Sequence, residues 1–280
     1  MKKILIVTLT LFVVNSAFSQ VRFGIKAGPN MSSLSDIKSS VSFNVPGLPF
    51  GITPSLSANI LKEDGMSIGY HAGAFLNIRL GSFISFQPEL LFSSQGGKQK
   101  IDMMGIVEDM FGNMLTGADL EDILDMLDMV EDFGDIRITY KSNYITLPLL
   151  LEIKPIPFVN LGILAGPQFG MNLSKKLTVS AFGETETLSN SDIDDAMKEL
   201  EKETGTTNPL KKMDIGLVMG LQYTFLDKIT IGARYNLGLT NGFDFMQSFD
   251  LSEVGDIGRV KVSAKGWKNN VFQVSIGFSF

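Results

Sequence analysis

The chain offers few of the side chains that make or break bonds. It has one histidine, His71, and no cysteine. Thiolate catalysis, cysteine-ligated zinc, disulfides and a lipid-modified cysteine anchor are therefore excluded. A single imidazole also rules out HExxH and any site built from two histidine ligands. A Ser-His-Asp relay through His71 would need an open approach to that ring. His71 instead lies inside the alternating stretch SIGYHAGAF, which favours a hydrogen-bonded interior histidine. No phosphate loop and no dinucleotide fingerprint occurs.

Carboxylates are plentiful. Residues 101–136 hold eleven acids and no Lys or Arg, among them Asp119, Glu121, Asp122, Asp125, Asp128, Glu131, Asp132 and Asp135. Oxygen ligands suit calcium, but EF-hand spacing is absent and a solvated acidic face is the plainer reading. No catalytic residue, metal site or cofactor is expected. The formal net charge of −6 argues against a nucleic-acid partner.

A second group of polar residues is spaced differently: Arg22, Lys26, Arg79, Gln87, Glu89, Glu152, Asp214 and Arg234 each fall within a segment of period two. Such segments recur eight times, at 21–32, 66–80, 83–94, 138–154, 158–172, 214–225, 229–241 and 271–280. In the last, Phe272, Val274, Ile276, Phe278 and Phe280 share one face, and Gln273, Ser275, Gly277 and Ser279 the other. Alternation of this kind marks β-strands with one apolar and one polar or cramped side.

The connections sort into two classes. Three are short, around Gly81-Ser82, residues 154–157 and Leu226-Asp227-Lys228. Four are long, at about 33–65, 95–137, 173–212 and 242–266. Strict short–long alternation is what an up-and-down transmembrane barrel produces, with tight turns at one end and outer loops at the other.

About five bulky side chains from each of eight strands are too many for the interior of an eight-stranded barrel, so Leu149, Leu237 and Ile276 are expected outside. Glycines four apart, such as Gly24 and Gly28, Gly69 and Gly73, Gly162, Gly166 and Gly170, or Gly216 and Gly220, then make room inside. The eight polar residues named above become a lumen network of salt bridges and hydrogen bonds, a plug and not a wide pore, because unpaired charge there is costly. Phe75, Leu91, Leu150 and Val218 break the polar phase and are expected to pack between the inward glycines. Pro29, Pro88, Pro148 and Pro167 each remove a ladder donor and predict bulges. Trp267, Tyr70, Tyr223, Phe225 and Tyr235 suit interfacial aromatic girdles.

Several stretches carry a family resemblance: RFGIKAGPNMSSL, YITLPLLLEIKP, IGARYNLGLTN and the terminal KNNVFQVSIGFSF, in that order, after a leader ending in SQ. The chain resembles the outer-membrane β-barrel family typical of Bacteroidota, called PorT-like or porin-like. The resemblance implies that the final strand, ending on Phe280, is read by the barrel-assembly machinery, a transient partner. A lipid-facing Phe280 is equally compatible with the residues.

Met1-Lys2-Lys3, an apolar run from Ile4 to Val14 and Asn15-Ser16-Ala17-Phe18-Ser19 have the form of a signal peptide cleaved after Ser19. The run is shorter than the roughly 20 residues of a spanning helix. The domain reading is thus a leader at 1–19 and one barrel at 20–280, in the outer membrane with periplasmic termini. Two helices are expected in the long connections. One begins near Asp119, with Leu120, Ile123, Leu124, Leu127 and Val130 as its stripe. The other is capped by Ser191 with Asp194, carries Ile193, Ala196, Met197 and Leu200, and stops at Gly205.

The fold class is therefore all-β, an eight-stranded antiparallel up-and-down transmembrane β-barrel with two helical insertions. The functional expectation is a non-enzymatic membrane protein whose loops serve structural or interaction roles, with lipid around it and a protein partner at the loops. Two alternatives stand beside it: a soluble periplasmic lipocalin-like barrel holding an apolar ligand, and a narrow solute channel.

Overall fold

A computed structural model describes residues 21–44, 55–101, 136–156, 159–181, 183–204, 210–250 and 259–280. The leader, the helix expected from Asp119 and the stop at Gly205 lie outside them. The strands are β1 (Val21–Leu34), β2 (Ile37–Asn44), β3 (Ser55–Arg79), β4 (Ile84–Ile101), β5 (Ile136–Ile153), β6 (Leu161–Ala181), β7 (Glu184–Leu188), β8 (Met213–Phe225), β9 (Ile229–Gly238), β10 (Phe243–Asp250), β11 (Arg259–Gly266) and β12 (Asn269–Ser279). One helix, α1 (Asn190–Thr204), follows β7.

Eight strands close a ring in the order β1-β12-β9-β8-β6-β5-β4-β3, and β3 returns to β1. Every pairing in it is antiparallel. The ring is the expected one, and its short turns are β3–β4, β5–β6 and β8–β9. Closure leaves none of the eight with an unpaired edge along the shared wall, the condition for crossing lipid with strands.

The large apolar phase faces out. Phe23, Ile25, Leu237, Phe272 and Ile276 are exposed, while Lys26, Asn30, Gln273 and Ser275 on the alternate phase are buried. A protein in water rarely shows so much contiguous apolar surface, and a hydrocarbon surrounding accounts for it. The lipocalin-like alternative, which needs those side chains inside, is overturned.

The long connections are less loop-like than expected. Much of their length is sheet: β3 begins at Ser55, β4 continues to Ile101 and β6 to Ala181. Strand β2 adds to β3, β11 to β2 and β10 to β11, and β7 folds back on β6. A spanning strand needs only about 9–11 residues, whereas β3 has 25, so the wall rises well past the bilayer. Past the bilayer no hydrocarbon lies against the outer face to select an apolar phase. Segments such as QGGKQK and ETETL therefore carry no alternation to read.

Three other expectations are corrected. Pairing is interrupted beside Pro29 (against β12), Pro88 and Pro148, but the register resumes unchanged. The register shifts among the described strands lie elsewhere, between Ile37 and Lys38, Glu63 and Gly65, Met66 and His71, and Asn143 and Tyr144. Missing one donor thus opens the ladder without inserting a residue. Trp267 does not join a girdle. It stacks on Tyr140 at 5.0 Å, meets Phe243 in a tilted contact at 5.6 Å, and its Nε1 donates to Gln99.

The cap of α1 lies two residues before the expected one. Ser189 O accepts from Ile193 N at 3.1 Å, and Asp192 Oδ2 takes the Ser189 amide at 2.8 Å and its hydroxyl at 2.7 Å. The same S-x-x-D pattern occurs in two overlapping frames. Asn190 decides between them, because its Oδ1 takes the Lys175 amide at 3.1 Å and pins the earlier turn to β6.

Candidate functional site: the polar axis of the barrel

Inward positions on β1, β4 and β9 bring three charges together. Lys26 Nζ donates to Glu89 Oε1 at 2.7 Å, and Arg234 Nη1 donates to Glu89 Oε2 at 2.6 Å. The Glu89 side chain is fully buried, and both cations are nearly so. Each carboxylate oxygen meets its own cation, the arrangement in which a buried charge is tolerated.

Amides extend the cluster in both directions. Toward the short-turn end, Gln87 Nε2 donates to Glu89 Oε1 at 2.8 Å, and Gln222 Nε2 donates to Gln87 Oε1 at 3.1 Å and to Glu152 Oε1 at 2.8 Å. Asn77 Nδ2 donates to Glu152 Oε2 at 2.8 Å, and Lys154 Nζ lies 3.5 Å from Glu152 Oε1. Toward the other end, Arg234 Nε donates to Gln273 Oε1 at 2.6 Å, and Gln273 Nε2 donates to Asn30 Oδ1 at 2.9 Å.

His71 joins here. The Asn30 amide nitrogen reaches Tyr70 O, Ser93 Oγ and Ser94 O at 2.9–3.0 Å, which fixes its Oδ1 as an acceptor. His71 Nδ1, 2.7 Å from that oxygen, is therefore the protonated ring nitrogen. Gln95 continues the column, donating to Ser93 Oγ at 2.7 Å and accepting from Asn269. The interior histidine expected from the sequence is this one.

Small residues make the space. A Cβ on Gly24 would strike the Phe75 ring, one on Gly162 would strike Glu152, and one on Gly220 would strike Arg234. Phe75, Leu91, Leu150 and Val218 are buried as expected, and Leu150, Leu164 and Val218 form an apolar cluster. At the level of these residues buried side chains occupy the barrel interior.

Of the eight polar residues singled out in the sequence, Lys26, Gln87, Glu89, Glu152 and Arg234 belong to this connected column. Asp214 meets its far end through a side-chain hydrogen bond with Asn269, whereas Arg22 and Arg79 do not join it. Arg22 turns to the β8–β9 turn, with Nη1 3.3 Å from Asp227 O and 3.9 Å from Asp227 Oδ1. Arg79 is exposed at the short-turn rim. Asp214 lies toward the other end and accepts from Thr240 Oγ1 at 3.0 Å. Asn30, Asn77, Gln222 and Gln273 are connecting members the charge-led reading passed over. Their phase in the alternation was the available signal. Phe280 donates its backbone amide to Phe23 O at 2.8 Å, and its ring packs on Phe23 and Phe278.

Among the described residues no group of three or more His, Cys, Asp or Glu is placed to hold a metal ion. Residues 15–244 match a family model described as "Outer membrane protein beta-barrel domain". No curated protein matches the chain. Among solved structures, Ail, the attachment invasion locus protein of Yersinia pestis, in complex with the heparin analogue sucrose octasulfate, is 12% identical. That comparison covers 93% of this chain and 99% of that one at a TM-score of 0.33. OprG from Pseudomonas aeruginosa is 12% identical over 92% of this chain and 95% of that one, at a TM-score of 0.38. Neisserial surface protein A is 9% identical over 92% and 97%, at 0.32.

Proposed function

The chain belongs to the outer membrane protein β-barrel domain family, and from that premise we propose that it is a sealed, non-enzymatic barrel that carries a sheet beyond the membrane for structural or interaction roles. The barrel sits in outer-membrane lipid. Its finer assignment, a PorT-like member acting within an envelope assembly, rests on the sequence resemblance. With its termini in the periplasm, the extensions built from β2, β7, β10, β11 and the upper parts of β3 to β6 face outward.

The observation that carries the sealed reading is the Lys26–Glu89–Arg234 cluster, whose buried charges leave no wide aqueous path at its level. Phe280, packed against β1 at the seam, serves as the signal for the assembly machinery. The test is conductance. Purified protein in planar bilayers is expected to show no large, stable single-channel openings, and a partner is expected to co-purify from detergent-solubilised envelope. Large reproducible openings in the wild-type protein would replace this reading with a channel.

A further inference from the structure

We propose that the mouth at the short-turn end of the barrel binds a phosphate group. This goes beyond the loop-presenting role and rests on the barrel reading only for its orientation, which puts the mouth at the periplasmic side. A cavity of about 600 Å³ opens there, lined among others by Arg79, Ser82, Ser85, Lys154, Asn160 and Asp227. These residues come from all three short turns and their flanking strands.

The charge of this end runs against that of the chain. The whole sequence carries −6, yet the turns and strand ends here supply Arg22, Arg79, Lys154 and Lys228 against two side-chain carboxylates, Glu152 beneath Lys154 and Asp227 at the rim. Asp227 is already engaged by Arg22 at 3.9 Å. Deeper in, Glu152 is saturated by Asn77, Gln222 and Lys154. Arg79 has no ion pair among the described residues, and it is exposed at the cavity. Its planar fork suits two oxygens of one ligand, Lys154 supplies a point charge, and the Ser82 and Ser85 hydroxyls add donors. An oxyanion with several acceptor oxygens matches donors arriving from separate elements.

The same turn exposes Leu80, Phe83 and Ile84, so the rim is cationic inside and apolar beside it. Phosphate could therefore arrive free or on a lipid headgroup, and the two sources are separable. The folded protein in detergent is titrated with inorganic phosphate by calorimetry. In parallel it is analysed by native mass spectrometry after exposure to phosphatidylglycerol or to phosphatidylcholine.

Retention of phosphatidylglycerol over phosphatidylcholine identifies the headgroup source. Saturable binding of inorganic phosphate without lipid retention identifies the free one. In either case Arg79→Gln with Lys154→Gln is expected to weaken binding about tenfold or more, the scale of a lost charge-assisted hydrogen bond. Each variant is first checked for a heat-dependent change in gel mobility. If the pair fails that check, Ser82→Asp at the exposed rim takes its place and is expected to abolish binding by repulsion. No binding by a heat-modifiable protein, or binding that Arg79→Gln and Ser82→Asp leave unchanged, overturns the site and leaves the barrel intact. Loss of heat modifiability in the wild-type protein would instead count against the barrel.

Discussion

Glu89 holds two cations, Lys26 and Arg234, that have no other carboxylate partner among the described residues. Removing it strands Lys26 and Arg234 in a buried column, so Glu89→Ala is expected to cost about 3–5 kcal/mol. Urea titration of the protein refolded into vesicles would measure this. Replacing Arg234 alone leaves Lys26 on Glu89 and is expected to cost less. The sequence marked these residues because they were charged and in phase. It could not rank them: Arg22 and Arg79 have the same phase and the same charge, but sit at the strand ends, where water competes. The neutral amides that join the cluster had phase alone, and nothing in composition separates an inward Gln222 from any other glutamine.

At the scale of elements, turns and caps decide local stability. The three-residue β8–β9 turn holds Leu226 and Asp227 at φ of 48° and 58°, in the left-handed region, with Lys228 N donating to Phe225 O at 3.0 Å. Leucine disfavours that region. Leu226→Asn is expected to stabilise the barrel by about 1 kcal/mol, read as a higher urea midpoint. Helix α1 offers a pH test. Hydrogen bonds from the Ser189 hydroxyl and amide hold the Asp192 carboxyl below its ordinary range. A folded-state pKa below the unfolded one contributes stability above the unfolded value, about 3.9, that is lost as pH falls through the folded one. Hydrogen exchange at the Ile193 amide is thus expected to stay slow at pH 5 and to quicken only once the pH passes below the usual carboxylate range. In Asp192→Ala it is expected to be fast already at neutral pH. Strand phase was legible wherever lipid faces one side, while β7 (ETETL) has no apolar phase; β2, β10 and β11 do alternate, as in Val41 and Phe43, Phe243 and Phe245, and Val260, Val262 and Ala264, but they lie in connections whose length reads as loop. The cap was misjudged by two residues because Asn190, which selects the frame, acts through a contact with β6.

For the whole molecule, the ring and its inside-out polarity could be read from alternation, glycine spacing and the sorting of connections. The tall outer sheet and the rim cavity could not, since both depend on which segments meet across the closed wall. That closure has a consequence for how the protein is made. Strand β1, the first, is flanked by β3 and by β12, the last. Until the final residues have been synthesised and exported, β1 lacks one neighbour, and the chain must travel with open ladder edges and bare hydrocarbon groups. Closure of the ring therefore waits for β12. A truncation that removes only β12 is expected to yield degradation, not a smaller barrel, as read by the loss of the protein from the membrane fraction.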